Sequence, residues 1–156
     1  MMDPREFKAP FITIADIRKA VDDFRKRYWS KDTIPVDIFE IVEFELGIEI
    51  RTIFNLREVG DVDALLLGDL KTIVVDQNGF LNDRAQNRLR FSIAHEIGHL
   101  VLHKDTFSKI QYSAIDEWIS FFQKIPEDQY TWIEQHAYEF AGSLLVPREK
   151  LAKKIE

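Results

Sequence analysis

The sequence predicts an α+β fold, in which a mainly helical single domain contains one small three-stranded sheet. Apolar residues recur at helical spacing in five segments, and two β-prone runs flank a Gly-Asp pair near the middle of the chain. The length of 156 residues and the hydrophobic fraction of 46% suit one compact core. We therefore expect a single domain over residues 1–156, with the sheet preceding the helix that carries most of the histidines.

Composition and charge exclude several classes of function. The net charge of −6 is spread along the chain without a basic stripe, which argues against direct nucleic-acid binding. The chain has no cysteine, so any bound metal must be held by His, Asp or Glu. We find neither a secretory signal nor an apolar run of about 18 residues, and we expect a cytoplasmic protein that does not contact a membrane.

Two helices are predicted before the sheet. Thr13 and Asp16 have the spacing of a capping box, and Pro35 and Gly47 stand where a second helix can begin and end. The apolar face of the first helix comprises Ile14, Ile17, Val21, Phe24 and Tyr28. That of the second comprises Ile38, Ile41, Val42 and Leu46.

The middle of the chain predicts three antiparallel strands. Residues 48–54 alternate apolar and polar side chains, and residues 62–76 form two β-prone runs on either side of Gly68 and Asp69. Glycine at the first turn position suits a type II′ hairpin, and Asn78-Gly79 then suits a turn away from the sheet.

Three helices are predicted after the sheet. The first can be capped by Asp83 with Gln86, and Pro126 and Pro147 are expected to end the other two. The buried stripe of the first is Leu89, Ile93, Ile97, Leu100 and Val101. The later two carry Ile115, Trp118, Ile119 and Phe122, and then Ile133, Ala137, Phe140, Ala141 and Leu144.

The segment FSIAHEIGHLVLH, residues 91–103, predicts a zinc site on the first of these helices. His95 and His99 are four residues apart, so they share one helix face about 6 Å apart along the axis and can bind one ion. Glu96 projects about 100° from His95, where it can reach a metal-activated water as a general base. His103 shares the histidine face, but its axial distance of about 12 Å from His95 argues against direct ligation.

Glu134, on the last predicted helix, is the expected third ligand. It is followed by Ala137 and Ala141, small residues that let two helices approach closely and bring a carboxylate toward the metal. His136 points about 200° away from Glu134 around that helix, so we expect it to lie behind the ligands or on the surface.

Two stretches together resemble a known family. RLRFSIAHEIGHLVLH followed by IEQHAYEFAGSLLVP is similar to the ImmA/IrrE zinc metallo-endopeptidases, and the upstream IPVDIFEIVEFELGIEI extends the resemblance over residues 33–148. The N-terminal helix in residues 1–32 falls outside it. The resemblance implies zinc bound by His95, His99 and Glu134, with Glu96 activating water. Tyr138 and His136 depart from the residues common in that family.

The resemblance also implies a protein substrate, namely a helix-turn-helix repressor or antitoxin-type regulator. The residues themselves leave the oxyanion-stabilising group open among Tyr112, Tyr130, Tyr138 and His103. A substrate strand is expected to add along the sheet near Thr72–Val75. Two alternatives remain: a zinc-containing sensor that docks a regulator without cleaving it, and a helical scaffold with incidental histidines.

Overall fold

The computed structural model describes residues 2–30 and 36–146, so the predicted boundaries at Pro35 and Pro147 lie outside it. The strands are β1 (Glu49–Ile53), β2 (Ala64–Leu66) and β3 (Thr72–Asp76). The first four helices are α1 (Ile14–Tyr28), α2 (Ile38–Glu40, continuing as a π-helix over Ile41–Glu45), α3 (Leu56–Gly60) and α4 (Gln77–Leu81). The later ones are α5 (Gln86–Leu102), α6 (Lys104–Ser108), α7 (Ile115–Lys124) and α8 (Glu127–Leu145).

The fold class is confirmed, but the sheet is mixed and the predicted antiparallel arrangement is wrong. The strand order is β1-β3-β2, with β1 parallel to β3 and β2 antiparallel to β3. Short α3, which the sequence did not predict, follows β1 and returns the chain so that β2 and β3 form the hairpin. β3 is therefore the central strand, and its residues are buried along its whole length.

The hairpin connection also differs from the predicted type II′ turn. Leu70, not Gly68, has a positive φ, of 59°, and the Asp69 carboxylate closes the loop by accepting hydrogen bonds from the backbone of Lys71 and Thr72. Gly68 has a different role. A Cβ there would lie 2.4 Å from the Tyr112 ring, so glycine lets that aromatic side chain approach the backbone. The predicted turn at Asn78-Gly79 lies within α4.

The N-terminal helix belongs to the same core as the rest of the domain. The capping box of Thr13 and Asp16 is present, and the Phe24 ring packs edge-on against Phe140 of α8 at 5.7 Å. Before α1, the buried Phe7 ring contacts both Phe121 and Phe122 of α7. Ile14, predicted on the apolar face, is 57% exposed, because it lies at the first position of the helix.

The second helix matches its prediction over the described residues. The Asp37 carboxylate accepts the Glu40 N–H as its N-cap, and Gly47 follows the helix with a φ of +63°. Of its predicted apolar face, Ile38, Ile41 and Val42 are buried and Leu46 packs partly against the core.

The long helices α5 and α8 form the centre of the domain. A Cβ added to Gly98 of α5 would lie 3.1 Å from Cα of Ala137, so the two backbones approach closely at this point. Leu89, Ile93 and Ile97 of the predicted stripe of α5 are buried, whereas Leu100 is partly buried and Val101 is 37% exposed in the last turn. Asn82 caps a 3₁₀ turn that precedes α5, and α5 itself begins after Ala85 without a side-chain cap, so the cap predicted at Asp83 is wrong.

No helix among the described residues is long and apolar enough to cross a membrane.

Candidate metal centre

The α5–α8 contact brings the three predicted metal ligands together. Nε2 of His95 lies 2.7 Å from Glu134 Oε2, and Nε2 of His99 lies 3.3 Å from Glu134 Oε1. The two Nε2 atoms are 3.2 Å apart. His95 and His99 are buried, and Glu134 reaches them from the facing helix.

These residues fit a divalent metal. One ligand atom from each of the three lies within 4.8 Å of the others, and two imidazoles with one carboxylate form a donor set typical of catalytic zinc. Ligands at about 2.0–2.1 Å from a tetrahedral ion are separated by roughly 3.3 Å. The 3.2 Å between the two Nε2 atoms and the 3.3 Å between His99 Nε2 and Glu134 Oε1 are close to this value. The geometry can therefore hold a metal with a fourth position free for water or substrate.

Glu96 lies beside the three ligands but is held by a different element. Its Oε2 accepts a 2.8 Å hydrogen bond from the backbone N–H of Leu66 in β2. The carboxylate is buried, and its hydrogen bond to β2 directs it toward the sheet. His95 and His99, on the same helix, face Glu134 instead. The structure thus places the predicted general base where a backbone donor fixes its direction.

The pKa values of the two carboxylates in the cluster are shifted in opposite directions. Burial raises the pKa of Glu96 above its ordinary value, although the neighbouring histidines oppose this. Burial acts the same way on Glu134, but its hydrogen bonds to His95 and His99 outweigh burial and lower its pKa. Glu134 is therefore strongly acidic, as a metal ligand requires, whereas Glu96 holds a proton more readily.

Comparison with protein-family models supplies an independent finding. Residues 80–156 match Peptidase M78, described as the IrrE N-terminal-like domain. This match to 77 of the 156 residues supports a metallopeptidase of the ImmA/IrrE type. The resemblance predicted for residues 33–79 lies outside the match and stays a prediction. No curated protein and no solved structure matches the chain.

Two further histidines of the matched segment lie behind the ligands, and the sequence alone left their positions open. His103, at the C-terminal end of α5, is completely buried, and its Nδ1 lies 2.9 Å from Nδ1 of His99. Its Nε2 lies 3.0 Å from Nδ1 of His136 in α8. Burial lowers the pKa of His103 to about 2, so its ring is neutral. Neither histidine is on the surface.

A cavity of about 670 Å³ opens in front of the cluster. Its lining includes the residues of β2, and Tyr130 and Tyr138, which stand one turn before and after Glu134 on α8. The Tyr138 ring packs 4.3 Å from the His95 ring. The charged side chains in the described lining, apart from histidines, are all carboxylates: Asp61, Asp63, Glu96, Glu127 and Glu134.

Proposed function

We propose that this protein is a zinc-dependent metallo-endopeptidase of narrow specificity. The observation that carries the proposal is the convergence of His95, His99 and Glu134 at the wall of an open cavity, with the buried Glu96 beside them. Bound zinc would polarise the substrate carbonyl and lower the pKa of a water molecule. His95, His99 and Glu134 would hold the ion, and Glu96 would take the proton from the attacking water.

The raised pKa of Glu96 suits this role. A carboxylate that holds a proton more readily than usual is a stronger base when ionised, and can return the proton to the leaving amine. The hydrogen bond from Leu66 N–H keeps one carboxylate oxygen fixed and leaves the other available for the water.

The lining of the cavity contains two of the four residues considered for stabilising the oxyanion. His103 is buried behind His99, and the Tyr112 ring packs against Trp118, so neither is part of the described lining. Tyr130 and Tyr138 both line the cavity. Burial raises the pKa of Tyr130 to about 12, so its hydroxyl stays protonated at neutral pH and can donate a hydrogen bond.

The predicted substrate contact at Thr72–Val75 falls on the buried central strand, so a substrate strand would have to pair with an edge strand, and β2 is the edge strand that lines the cavity. The Asp63 carbonyl and the Leu67 N–H bond to β3, at 2.9 Å each. Because bonding alternates along an antiparallel ladder, the backbone of Ala64 and Leu66 faces away from β3.

Only part of this edge can receive a substrate. The Leu66 N–H donates to Glu96, and its carbonyl accepts the indole N–H of Trp118 at 2.9 Å. Ala64 is the residue of β2 whose outward backbone groups remain for a substrate.

Replacement of Ala64 by proline removes the outward N–H, and we expect KM for the substrate to rise while the sheet stays folded. Leu65→Pro, which removes an N–H bonded to β3, is the matched control and should unfold the protein. An unchanged KM in folded Ala64→Pro would exclude this mode of binding.

For the substrate we propose a helix-turn-helix regulator, which the resemblance to ImmA/IrrE proteins implies. We propose that this protein itself acts in the cytoplasm and does not contact DNA directly. The carboxylate lining of the cavity supports the last point, because it would repel a phosphate backbone.

The deciding experiment compares cleavage of regulators encoded beside this gene by the wild type and by Glu96→Gln. Glutamine can keep the hydrogen bond from Leu66 N–H but cannot accept the proton. We expect kcat/KM to fall about 10²–10⁴-fold while zinc content and thermal stability remain. Glu139→Gln, a carboxylate on α8 that faces Arg18, is the matched control and should cleave like the wild type.

Equal cleavage by the wild type and Glu96→Gln would refute the general-base role. Stoichiometric zinc and tight binding of a regulator without cleavage by the wild type would favour the alternative, a zinc-containing sensor that docks its partner. Such a sensor has no need of a buried, oriented carboxylate at position 96, which is why the hydrolase is preferred.

A further inference from the structure

Three histidines form a chain of hydrogen bonds that begins at the metal centre and leads away from the cavity. His99 contacts His103 through their Nδ1 atoms at 2.9 Å, and His103 Nε2 contacts His136 Nδ1 at 3.0 Å. We refer to His99, His103 and His136 as the histidine relay. The last two residues contact neither His95 nor Glu134 through a hydrogen bond among those described.

The metal-facing atom of His99 determines the direction of every bond in the relay. Because Nε2 of His99 faces Glu134 and His95, a metal there requires the hydrogen of His99 on Nδ1. That N–H must donate to Nδ1 of His103, which in turn carries its hydrogen on Nε2. The second N–H then donates to Nδ1 of His136, so one arrangement of hydrogens satisfies both contacts.

Packing also restricts how the rings of His99 and His103 can rotate. The backbone N–H of His103 donates to the His99 carbonyl at 2.8 Å, and the Phe107 ring lies against both imidazoles. His95 provides a contrast on the same helix. Its Nδ1 is buried and hydrogen-bonds to none of the described residues, so no partner behind the ring orients it, and its contacts are with Glu134, Tyr138 and His99.

We propose that His103, itself held by His136, is a positioning residue that fixes the ring orientation and tautomer of His99 and thereby raises the affinity for the metal. The inference rests on the proposed metal centre, and it assigns His103 and His136 a role although neither touches the ion. Partners behind metal-bound histidines commonly contribute about 10–100-fold in affinity, because they orient the ligand and increase its basicity.

The test measures the zinc dissociation constant by chelator competition. His103→Phe keeps a buried ring but removes the acceptor, and we expect a dissociation constant about 10–100-fold higher. His103→Asn places an oxygen near the position of Nδ1 and should restore most of the affinity. His136→Phe, one bond further away, should have a smaller effect in the same direction. Phe107→Leu alters packing on the same rings without removing a hydrogen bond, and should raise the dissociation constant less than His103→Phe does.

A second measurement needs no substitution, and so remains decisive if His103→Phe does not fold. In zinc-loaded wild type with ¹⁵N-labelled histidine, NMR should detect scalar coupling across the N–H···N bond between His99 and His103, with the hydrogen on His99 Nδ1.

A third measurement uses the substituted proteins loaded with cobalt. The tetrahedral absorption bands of cobalt should lose intensity in His103→Phe and regain it in His103→Asn.

The proposed metal centre and the histidine relay can be refuted separately. If the wild type binds no zinc, or binds it equally well after Glu134→Ala, the proposed metal centre is wrong. If the wild type binds zinc through Glu134 but folded His103→Phe binds it equally tightly, or the coupling is absent, the relay is wrong and the metal centre stands.

Discussion

The two walls of the cavity are built in different ways. The helix wall, formed by α5 and α8, supplies every candidate metal ligand through side chains, and these meet because Gly98 lets the helix backbones approach at Ala137. The strand wall, formed by β2, supplies no ligand. It acts through its backbone, since the N–H and carbonyl of Leu66 hold Glu96 and Trp118.

This difference indicates that metal affinity and turnover depend on separate elements. Disturbing the helix wall should release the metal, whereas disturbing the strand wall should affect the orientation of Glu96 and the stability of the sheet while the metal stays bound. The following substitutions test that separation.

The largest effect is expected from Glu134→Ala in the helix wall. The variant retains two protein ligands, so it should lose stoichiometric zinc as measured by elemental analysis. Zinc at about 100 times its dissociation constant should add about 2.7 kcal/mol to the free energy of unfolding of the wild type, an effect that a chelator reverses, and nothing to the variant. Glu139→Ala on the same helix should behave like the wild type, and an equal zinc-induced shift in Glu134→Ala would contradict the assignment.

Two glycines of the helix wall provide the next comparison. An added Cβ at Gly98 would meet backbone atoms of Ala137 and Cβ of Phe140 at 3.1–3.2 Å, so Gly98→Ala should push the helices apart at a cost of about 1–3 kcal/mol. Gly142, which lies in α8, has open space around it, and Gly142→Ala should instead stabilise the helix by up to about 1 kcal/mol. Chemical denaturation gives both values, and zinc affinity should fall only in Gly98→Ala. Equal stability of the two variants would show that the close approach is unimportant.

A smaller effect is expected from Trp118→Phe, which changes the strand wall. The variant keeps an aromatic ring but leaves the buried carbonyl of Leu66 without its donor, so it should lose about 1–3 kcal/mol of stability. Its zinc dissociation constant should equal that of the wild type. The exposed Trp132→Phe serves as control, with an expected change within about 0.5 kcal/mol. Weakened zinc binding in Trp118→Phe would mean that the two walls are coupled.

The helix wall was also the part that sequence predicted best. The spacing of His95 and His99 and the small residue Ala137 after Glu134 are local patterns with a fixed helical period, so the shared face and the close helix approach follow from them. The hydrogen bonds of His103 and His136 were not predicted, because their side chains meet only when two helices dock at one particular rotation.

The strand wall was harder to predict for a physical reason. Strand order depends on contacts between distant segments, and alternation within β1 does not reveal whether its neighbour runs parallel or antiparallel. The backbone donor for Glu96 left no signal in side-chain identity, since any residue other than proline at position 66 carries an N–H. Gly68 misled the turn prediction because its missing Cβ makes room for Tyr112 and does not serve a positive φ.

The contact between Leu66 and Glu96 determines how much of the chain a functional fragment must contain. It joins a residue before position 80 to a side chain inside the matched segment, and the packing of Phe24 on Phe140 does the same from α1. A fragment starting at residue 80 would keep every candidate metal ligand, yet lose the donor that aims Glu96 and leave Phe140 uncovered. The boundary drawn by sequence similarity therefore cuts through one shared hydrophobic core, and the proposed hydrolytic site includes a backbone donor outside the matched segment.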